Sequence, residues 1–285
     1  EKAWIGDECK EFGKWSAQID QFIMHNGISF DAPILNRLAG SNIKLSQVRD
    51  TLIESQLYNP IRDGGHSLQS WGERLGYSKG DYNDFTTFNK EMLEYCQRDT
   101  ELTRKVAGVL SGEGSSFSDR SYNLERKVRA IVDQQERNGF AFDIQKATVF
   151  LSQLEDEQYS LEEKAQDMFE PTEVKLKTKT KYIPFNIASR KQIAERLMER
   201  GWKPTKHTEK GNVIVSEEIL SKLDMPEAQM FSRYFLLQKR TGLLKSWIQE
   251  CQEDERVRGR VMTLRTVTGR MAHNSPNMAQ VPATY

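Results

Sequence analysis

Two aspartates and one tyrosine have the residue types and spacing for metal-dependent phosphate chemistry. Asp31 lies in the stretch IMHNGISFDAPIL (residues 23–35), five residues after Asn26. Tyr95 and Asp99 are four residues apart in a segment with helical periodicity, so they project from the same helix face. Carboxylate oxygens suit Mg²⁺ or Mn²⁺, and the Tyr95 hydroxyl could hold a water beside such an ion.

Each of these residues also has a purely structural explanation. Asp31 precedes Ala32-Pro33 at the start of a short predicted helix, where an aspartate is a good N-cap. Asn26 with Gly27 can simply shape a turn. Taken singly, each residue is better explained by structure than by chemistry.

The elements that carry these residues alternate between strand and helix over residues 1–110. QFIMHN is predicted as a short buried strand, and DAPILNRLAG as a short helix that ends at Gly40. NKEMLEYCQRDTELTRKVAGVL (89–110) is the strongest predicted helix, with an apolar stripe at helical spacing. This alternation predicts an α/β unit.

The remainder of the chain changes character twice. Residues 111–119 are rich in glycine and serine and are predicted as a linker. Residues 120–255 are mainly helical, including a long helix from the N-cap Asp143 to Phe169. Residues 256–285 consist of short strand-like runs and polar turns.

The composition excludes several classes of protein. The 285 residues are 37% hydrophobic and 29% charged, and no apolar run reaches the roughly 18 residues that span a bilayer. The three cysteines form no Cys-x-x-Cys pair, which favours a reduced cytoplasmic compartment over a disulfide scaffold or zinc site. Net charge is zero, with 41 basic and 41 acidic residues.

Taken together, the motifs resemble a known family. HNGISFD and YCQRD resemble the second and third motifs of 3′-5′ exonucleases of the RNase H-like superfamily. FNIASRKQIAERLMERGWKPTKHTEKGNVIVSEEIL resembles the thumb of family A DNA polymerases, and TVTGRMAHNSPNMAQVP is similar to their thumb–palm junction motif. Other strings, such as HSLQSWGERLG, resemble the replicative polymerases of short-tailed phages.

The resemblance implies a fold with four parts. An α/β RNase H-like exonuclease domain (1–110) would be followed by the linker, a mainly α-helical thumb (120–255) and the start of an α+β palm (256–285). The parent protein would be a DNA-directed DNA polymerase with proofreading activity, using dNTPs and acting in DNA replication.

The resemblance also assigns roles to the motif residues. Two ions, Mg²⁺ or Mn²⁺, would hydrolyse the terminal phosphodiester. Asp99 would bind one ion and Asp31 the other, while Tyr95 orients the attacking water. His25 and Asn26 would lie beside the frayed primer end.

One part of the family's metal site has no counterpart in this chain. The first exonuclease motif, Asp-x-Glu on a strand before His25, is absent. The residues after the junction motif that would form the polymerase site are absent too. We therefore expect a portion of a polymerase, cut at both ends, that binds primer-template DNA and single-stranded 3′ ends with little activity of its own.

The expected DNA contacts lie in three places, and each set has an alternative explanation. A lysine row in an extended-looking segment would share one face and contact duplex phosphates, or would be a solvated strand edge: Lys175, Lys177, Lys179 and Lys181. Lys239 and Arg240 would contact phosphates or be solvated helix charges. Four residues of the junction motif would reach minor-groove acceptors: Arg270, Asn274, Asn277 and Gln280.

The same resemblance bears on partners and rival functions. The thumb insertion that recruits thioredoxin in phage relatives is absent between Phe169 and Phe185, so thioredoxin is not expected as a partner. The rival functions are a stand-alone 3′-5′ exonuclease and a non-catalytic DNA-binding module that keeps the exonuclease fold as scaffold.

Overall fold

The structure is a computed structural model that describes residues 2–175 and 180–281. Within this part of the chain the helices are α1 Cys9–Ser16, α2 Asp31–Leu38, α3 Thr51–Tyr58, α4 Leu68–Arg74, α5 Lys90–Glu113, α6 Asp119–Asn138, α7 Ile144–Met168, α8 Arg190–Glu199, α9 Glu217–Leu220 and α10 Pro226–Glu250. The strands are β1 Phe22–Met24, β2 Val48–Asp50, β3 Phe140–Ala141, β4 Thr172–Lys175, β5 Thr180–Ile183, β6 Arg256–Val257, β7 Arg260–Met262 and β8 Ala272–Asn274. None of the helices described is long and apolar enough to cross a membrane.

The chain divides into two compact units. The first comprises Glu1–Gly139 with Gly259–Tyr285, and the second comprises Phe140–Arg258. This division differs from the boundaries expected from composition, because α6 and the segment after residue 258 belong to the first unit. Residues 111–119, predicted as a linker, hold the last residues of α5, a 3-10 turn over Gly114–Ser116, and Ser118, which caps α6.

A short parallel pair of strands organises the first unit. β1 and β2 pair in the register Phe22↔Val48 and Met24↔Asp50. The core around them consists of buried apolar side chains from both strands and the segments that follow: Phe22, Ile28, Ala32, Ile43, Val48 and Ile53. A second cluster joins α4 to α5 through Trp71, Leu102, Val106 and Leu110. Of the apolar stripe predicted on α5, Leu102 and Val106 are buried, whereas Cys96 and Val109 are exposed.

The C-terminal motif forms a hairpin in the first unit. β7 and β8 are antiparallel, with Arg260 opposite Asn274 and Met262 opposite Ala272. The TVTGR sequence lies in their connection, where the Thr266 hydroxyl oxygen accepts the Arg270 backbone N–H at 2.9 Å. The Arg129 guanidinium of α6 donates to the Val261 carbonyl at 2.8 Å, which fixes β7 against that helix.

The second unit is mainly helical, as the sequence predicted. Its two long helices, α7 and α10, enclose an aromatic core in which Phe231 lies 5.8 Å from Phe169 and 5.7 Å from Phe185 between ring centroids. Asp143 caps α7 by accepting the Lys146 backbone N–H at 2.9 Å, so the predicted start of this helix is confirmed. Two small antiparallel ribbons, β3–β6 and β4–β5, complete the unit.

Candidate functional site

The buried carboxylate of Asp50 fixes the loop that follows β1. Asp50 is 1% exposed and accepts the backbone N–H groups of Asn26 at 2.9 Å, Ile28 at 3.1 Å and Leu52 at 3.0 Å. Burial raises the pKa of the Asp50 carboxyl above its ordinary value, while these N–H groups act in the opposite direction. The Asp50 carboxylate thus accepts backbone N–H groups both from the loop after β1 and from the start of α3, which follows β2.

The backbone of this loop is tightly constrained. The backbone φ angle of Asn26 is +66°, a left-handed conformation that asparagine tolerates better than most residues. A Cβ on Gly27 would lie only 2.2 Å from the Met24 Cβ, so only glycine fits there. The sequence HNG therefore forms the sharp turn that the Asn26-Gly27 pair predicted.

Asp31 is the first residue of α2 and not its N-cap. Phe30 occupies the cap position and makes no side-chain cap hydrogen bond, so the N-cap explanation of Asp31 is wrong. The turn at Asn26 places the helix start one residue earlier than the sequence suggests. Burial raises the pKa of the half-buried Asp31 carboxyl, and its own backbone amide opposes that shift.

Tyr95 and Asp99 lie on one face of α5, and a lysine that the sequence did not single out lies against both. The Lys79 ammonium is 3.2 Å from Asp99 Oδ2 and 5.1 Å from the centroid of the Tyr95 ring. Burial raises the pKa of Asp99, and Lys79 opposes the increase. The other oxygen, Asp99 Oδ1, is buried and has no hydrogen-bond partner among the described residues.

The residues present do not fit a two-ion site. Among residues 2–175 and 180–281, no three His, Cys, Asp or Glu side chains are grouped so that they could hold a metal ion. Neither Asp31 nor Asp99 therefore belongs to a cluster of three such side chains within the described residues. Mg²⁺ is usually held by one or two carboxylates with waters and substrate phosphates, so a pair of ions calls for more carboxylates than Asp31 and Asp99 supply.

His25 is held in its neutral form beside the turn. The Thr51 hydroxyl donates to the Met24 carbonyl at 3.0 Å, so its oxygen accepts from His25 Nδ1 at 2.9 Å. Burial lowers the pKa of His25 to about 4. The ring is thus locked in orientation by β1 and α3.

The four residues predicted to read the minor groove lie on or just after the hairpin. Arg270, Asn274 and Gln280 are exposed. Asn277 is partly buried, and its side-chain oxygen accepts the Ala279 N–H at 3.0 Å, which leaves the amide N–H groups as its donors. Their role in DNA binding stays a prediction.

The predicted phosphate-binding residues lie in the second unit. Lys239 is exposed on α10, whereas Arg240 is partly buried with its Nε unpaired among the described residues. Lys177 and Lys179 lie outside the described residues. β4 and β5 pair antiparallel, with Lys175 opposite Thr180 and Lys181 opposite Val174, so these two lysines lie on separate strands. The role of the lysine row in phosphate binding stays a prediction.

Comparison with known proteins supports the family resemblance that the C-terminal motif indicated. Residues 152–285 match the DNA polymerase family A model. The DNA-directed DNA polymerases of Escherichia phage T7 and Enterobacteria phage T3 are each 25% identical, over 91% of this chain and 55% of their own length. The fold matches the POL domain of Pol1 from M. smegmatis with a TM-score of 0.76, at 16% identity over 99% of this chain and 46% of that one.

These findings agree on one class of protein. Residues 152–285 match the family A DNA polymerases, and the fold of the chain is that of a polymerase domain. Over most of its length the chain is similar to the two phage polymerases, and it spans about half the length of these relatives.

Replacing the Asp50 carboxylate should loosen the whole loop. In Asp50→Asn an amide N–H group would face backbone N–H groups, so we expect a loss of about 3 kcal/mol in the free energy of unfolding, measured by urea denaturation. Asp84→Asn is the matched control, since the exposed Asp84 also accepts a backbone N–H, from Thr86 at 3.1 Å. Equal midpoints for the two variants would contradict the role assigned to Asp50.

The lowered pKa of His25 predicts a pH dependence of stability. Between pH 6.5 and about 4 the unfolded chain binds a proton at His25 that the folded chain does not. The contribution of neutral His25 to the free energy of unfolding is therefore complete above pH 6.5. It declines as pH falls towards 4, by up to about 3 kcal/mol. NMR titration of the ring tests this directly, and His25→Gln should flatten the decline; a ring that titrates near 6.5 would contradict it.

Proposed function

We propose that the chain is part of a DNA-directed DNA polymerase that also carries a 3′-5′ proofreading exonuclease domain and acts in DNA replication. The observation that carries this proposal is the family A match over residues 152–285, which includes the hairpin with TVTGR in its turn. In the proposed arrangement the first part of the chain is the exonuclease domain, the helical unit is the thumb, and the hairpin begins the palm.

The proposed ligand of the hairpin is primer-template DNA. Arg270 lies in the connection of the hairpin and Asn274 is the last residue of β8, and both side chains are exposed. Long or amide side chains can reach the acceptors that all base pairs present in the minor groove. The structural neighbour from M. smegmatis is a complex with DNA primer-template and dNTP, which supports DNA and dNTPs as the partners of the parent enzyme. Lys239 and Arg240 would add phosphate contacts.

The proposed exonuclease chemistry is incomplete in this chain. His25, Asn26, Asp31, Tyr95 and Asp99 correspond to the family motifs, and Asp50 and α5 hold the segments that carry them. The described residues lack the further carboxylates that two divalent ions would need. We therefore propose that this chain binds DNA but cleaves it poorly.

The competing functions differ in what they leave unexplained. A stand-alone exonuclease does not account for the polymerase match over residues 152–285. A non-catalytic DNA-binding module is the stronger second candidate, because Lys79 already neutralises Asp99.

DNA binding by the hairpin is tested with Arg270→Ala. We expect about tenfold weaker binding of a primer-template duplex, measured by fluorescence anisotropy, and an affinity that falls steeply with salt because phosphate contacts release counterions. Arg104→Ala is the matched control, since Arg104 is exposed but is paired with Glu101 at 2.8 Å. Equal affinities for both variants, or binding insensitive to salt, would count against the hairpin as a DNA contact.

The incomplete donor set predicts little nuclease activity. A 3′-labelled single-stranded oligonucleotide incubated with the chain and millimolar Mg²⁺ should remain largely intact on a denaturing gel. Robust digestion that disappears in Asp99→Asn would show that the carboxylates present suffice and would refute this part of the proposal.

A further inference from the structure

We propose that Lys79 is the resident cation of the Tyr95–Asp99 pair, and that a divalent ion can bind at Asp99 in this chain only when Lys79 leaves. This inference rests on the proposed exonuclease ancestry of the site and goes beyond it. It assigns to Lys79 a positioning role that the motif residues do not reveal. It also gives a physical reason why the site favours an ammonium group over a metal ion.

The geometry is that of a paired and partly desolvated ammonium group. Lys79 Nζ lies 3.2 Å from Asp99 Oδ2, with the two side chains 28% and 23% exposed. The same nitrogen lies 5.1 Å from the Tyr95 ring centroid, within the range of a cation–π interaction. Partial burial limits screening by salt, so the attraction is stronger than that of a surface ion pair.

The backbone on both sides of Lys79 is held against α5. The Arg98 Nε donates to the Ser78 carbonyl at 2.6 Å, and the Arg98 guanidinium lies 4.5 Å from the centroid of the Tyr77 ring. On the other side, a Cβ on Gly80 would lie 3.3 Å from Tyr95 Cδ2. Lys79 is therefore delivered to Asp99 by a fixed backbone and not by a freely moving surface segment.

The helix that precedes this segment makes the close approach possible. The Tyr77 N–H donates to the Gly72 carbonyl at 2.9 Å, which turns the chain back after α4. A Cβ on Gly72 would lie 2.7 Å from the Tyr77 carbonyl oxygen and 3.0 Å from the Lys79 backbone nitrogen. Glycine at position 72 is thus required for Lys79 to reach α5.

The available donors suit an ammonium group better than a divalent ion. An ammonium group needs only a few acceptors, and here it has a carboxylate oxygen and an aromatic face. Mg²⁺ is usually held by one or two carboxylates together with waters, and among the described residues no cluster of three His, Cys, Asp or Glu side chains adds further ligands to Asp99. A positive charge at 3.2 Å from Asp99 further opposes the approach of a second cation.

The chain offers a matched control on the same helix. Lys105 pairs with Glu101 at 3.6 Å and lies 5.0 Å from the centroid of the Tyr77 ring, so it repeats the lysine–carboxylate–tyrosine arrangement. Glu101 is also paired with Arg104, and it remains neutralised when Lys105 is removed. Loss of Lys105 should therefore not create a cation site.

The test is a titration with Mn²⁺. Binding is monitored by the paramagnetic broadening of the backbone amide signals of α5 in NMR spectra of the whole chain. We expect Lys79→Met to bind Mn²⁺ near Asp99 at least tenfold more tightly than the original chain. Lys79→Arg, which keeps the charge, and Lys105→Met should both behave like the original chain. Adding Asp99→Asn to Lys79→Met should abolish the gain.

Three results would overturn the proposal: equal Mn²⁺ affinity in Lys79→Met and the original chain, no binding in either, or a gain that survives Asp99→Asn. If Lys79→Met does not fold, the proposal is tested instead on the ammonium NMR signal of Lys79 in the original chain. Its nuclear Overhauser contacts to the Tyr95 ring should persist in millimolar Mg²⁺, and their loss would refute the role. Mn²⁺ binding does not report on DNA, so failure here leaves the Arg270 experiment as the separate test of the proposed function.

Discussion

The interaction on which the first unit most depends is the set of backbone hydrogen bonds to the buried Asp50 carboxylate. Its two oxygens accept N–H groups from the loop after β1 and from the first turn of α3. Without an acceptor, these buried donors would carry the full cost of desolvation. The left-handed turn at Asn26, the start of α2 and the position of Asp31 all follow from this arrangement, so a residue outside the exonuclease-like motifs determines the geometry of one of them.

Helix α6 extends this constraint to the C-terminal hairpin. The Asp50 backbone N–H donates to the Tyr122 hydroxyl at 2.7 Å, and the Ser29 hydroxyl donates to Asp133 at 2.8 Å. The same helix holds β7 through Arg129. Ser29 belongs to HNGISFD, and β7 leads into TVTGR. Two motifs more than two hundred residues apart in sequence are therefore attached to a single helix, which explains why α6 and the hairpin fall in one compact unit.

Charge balance at Asp99 is achieved within the chain. A partly buried carboxylate requires a counter-charge, because an uncompensated ion in a desolvated position is costly. Lys79 supplies that charge, and the fixed segment around it removes much of the entropic cost of holding a long side chain in place. The proposed ancestry of the site and its present electrostatics thus differ: the motif residues resemble those of metal-dependent nucleases, while the partner of Asp99 is an ammonium group.

What the amino-acid sequence determined by itself was local. Tyr95 and Asp99 share a face because the α-helix repeats every 3.6 residues, and Asp143 begins α7 because its carboxylate caps the first turn. TVTGR indicated the resemblance to family A polymerases through contiguous residues, and it lies within the matched residues 152–285. Only the tertiary structure decided the rest. Asp50 becomes the acceptor for Asn26, Lys79 the partner of Asp99, and α6 a helix of the first unit. Each of these contacts joins groups that are 20 or more residues apart in sequence and that are partly or fully desolvated. A missing partner is costly there. The spacing of residues along the chain does not encode such contacts.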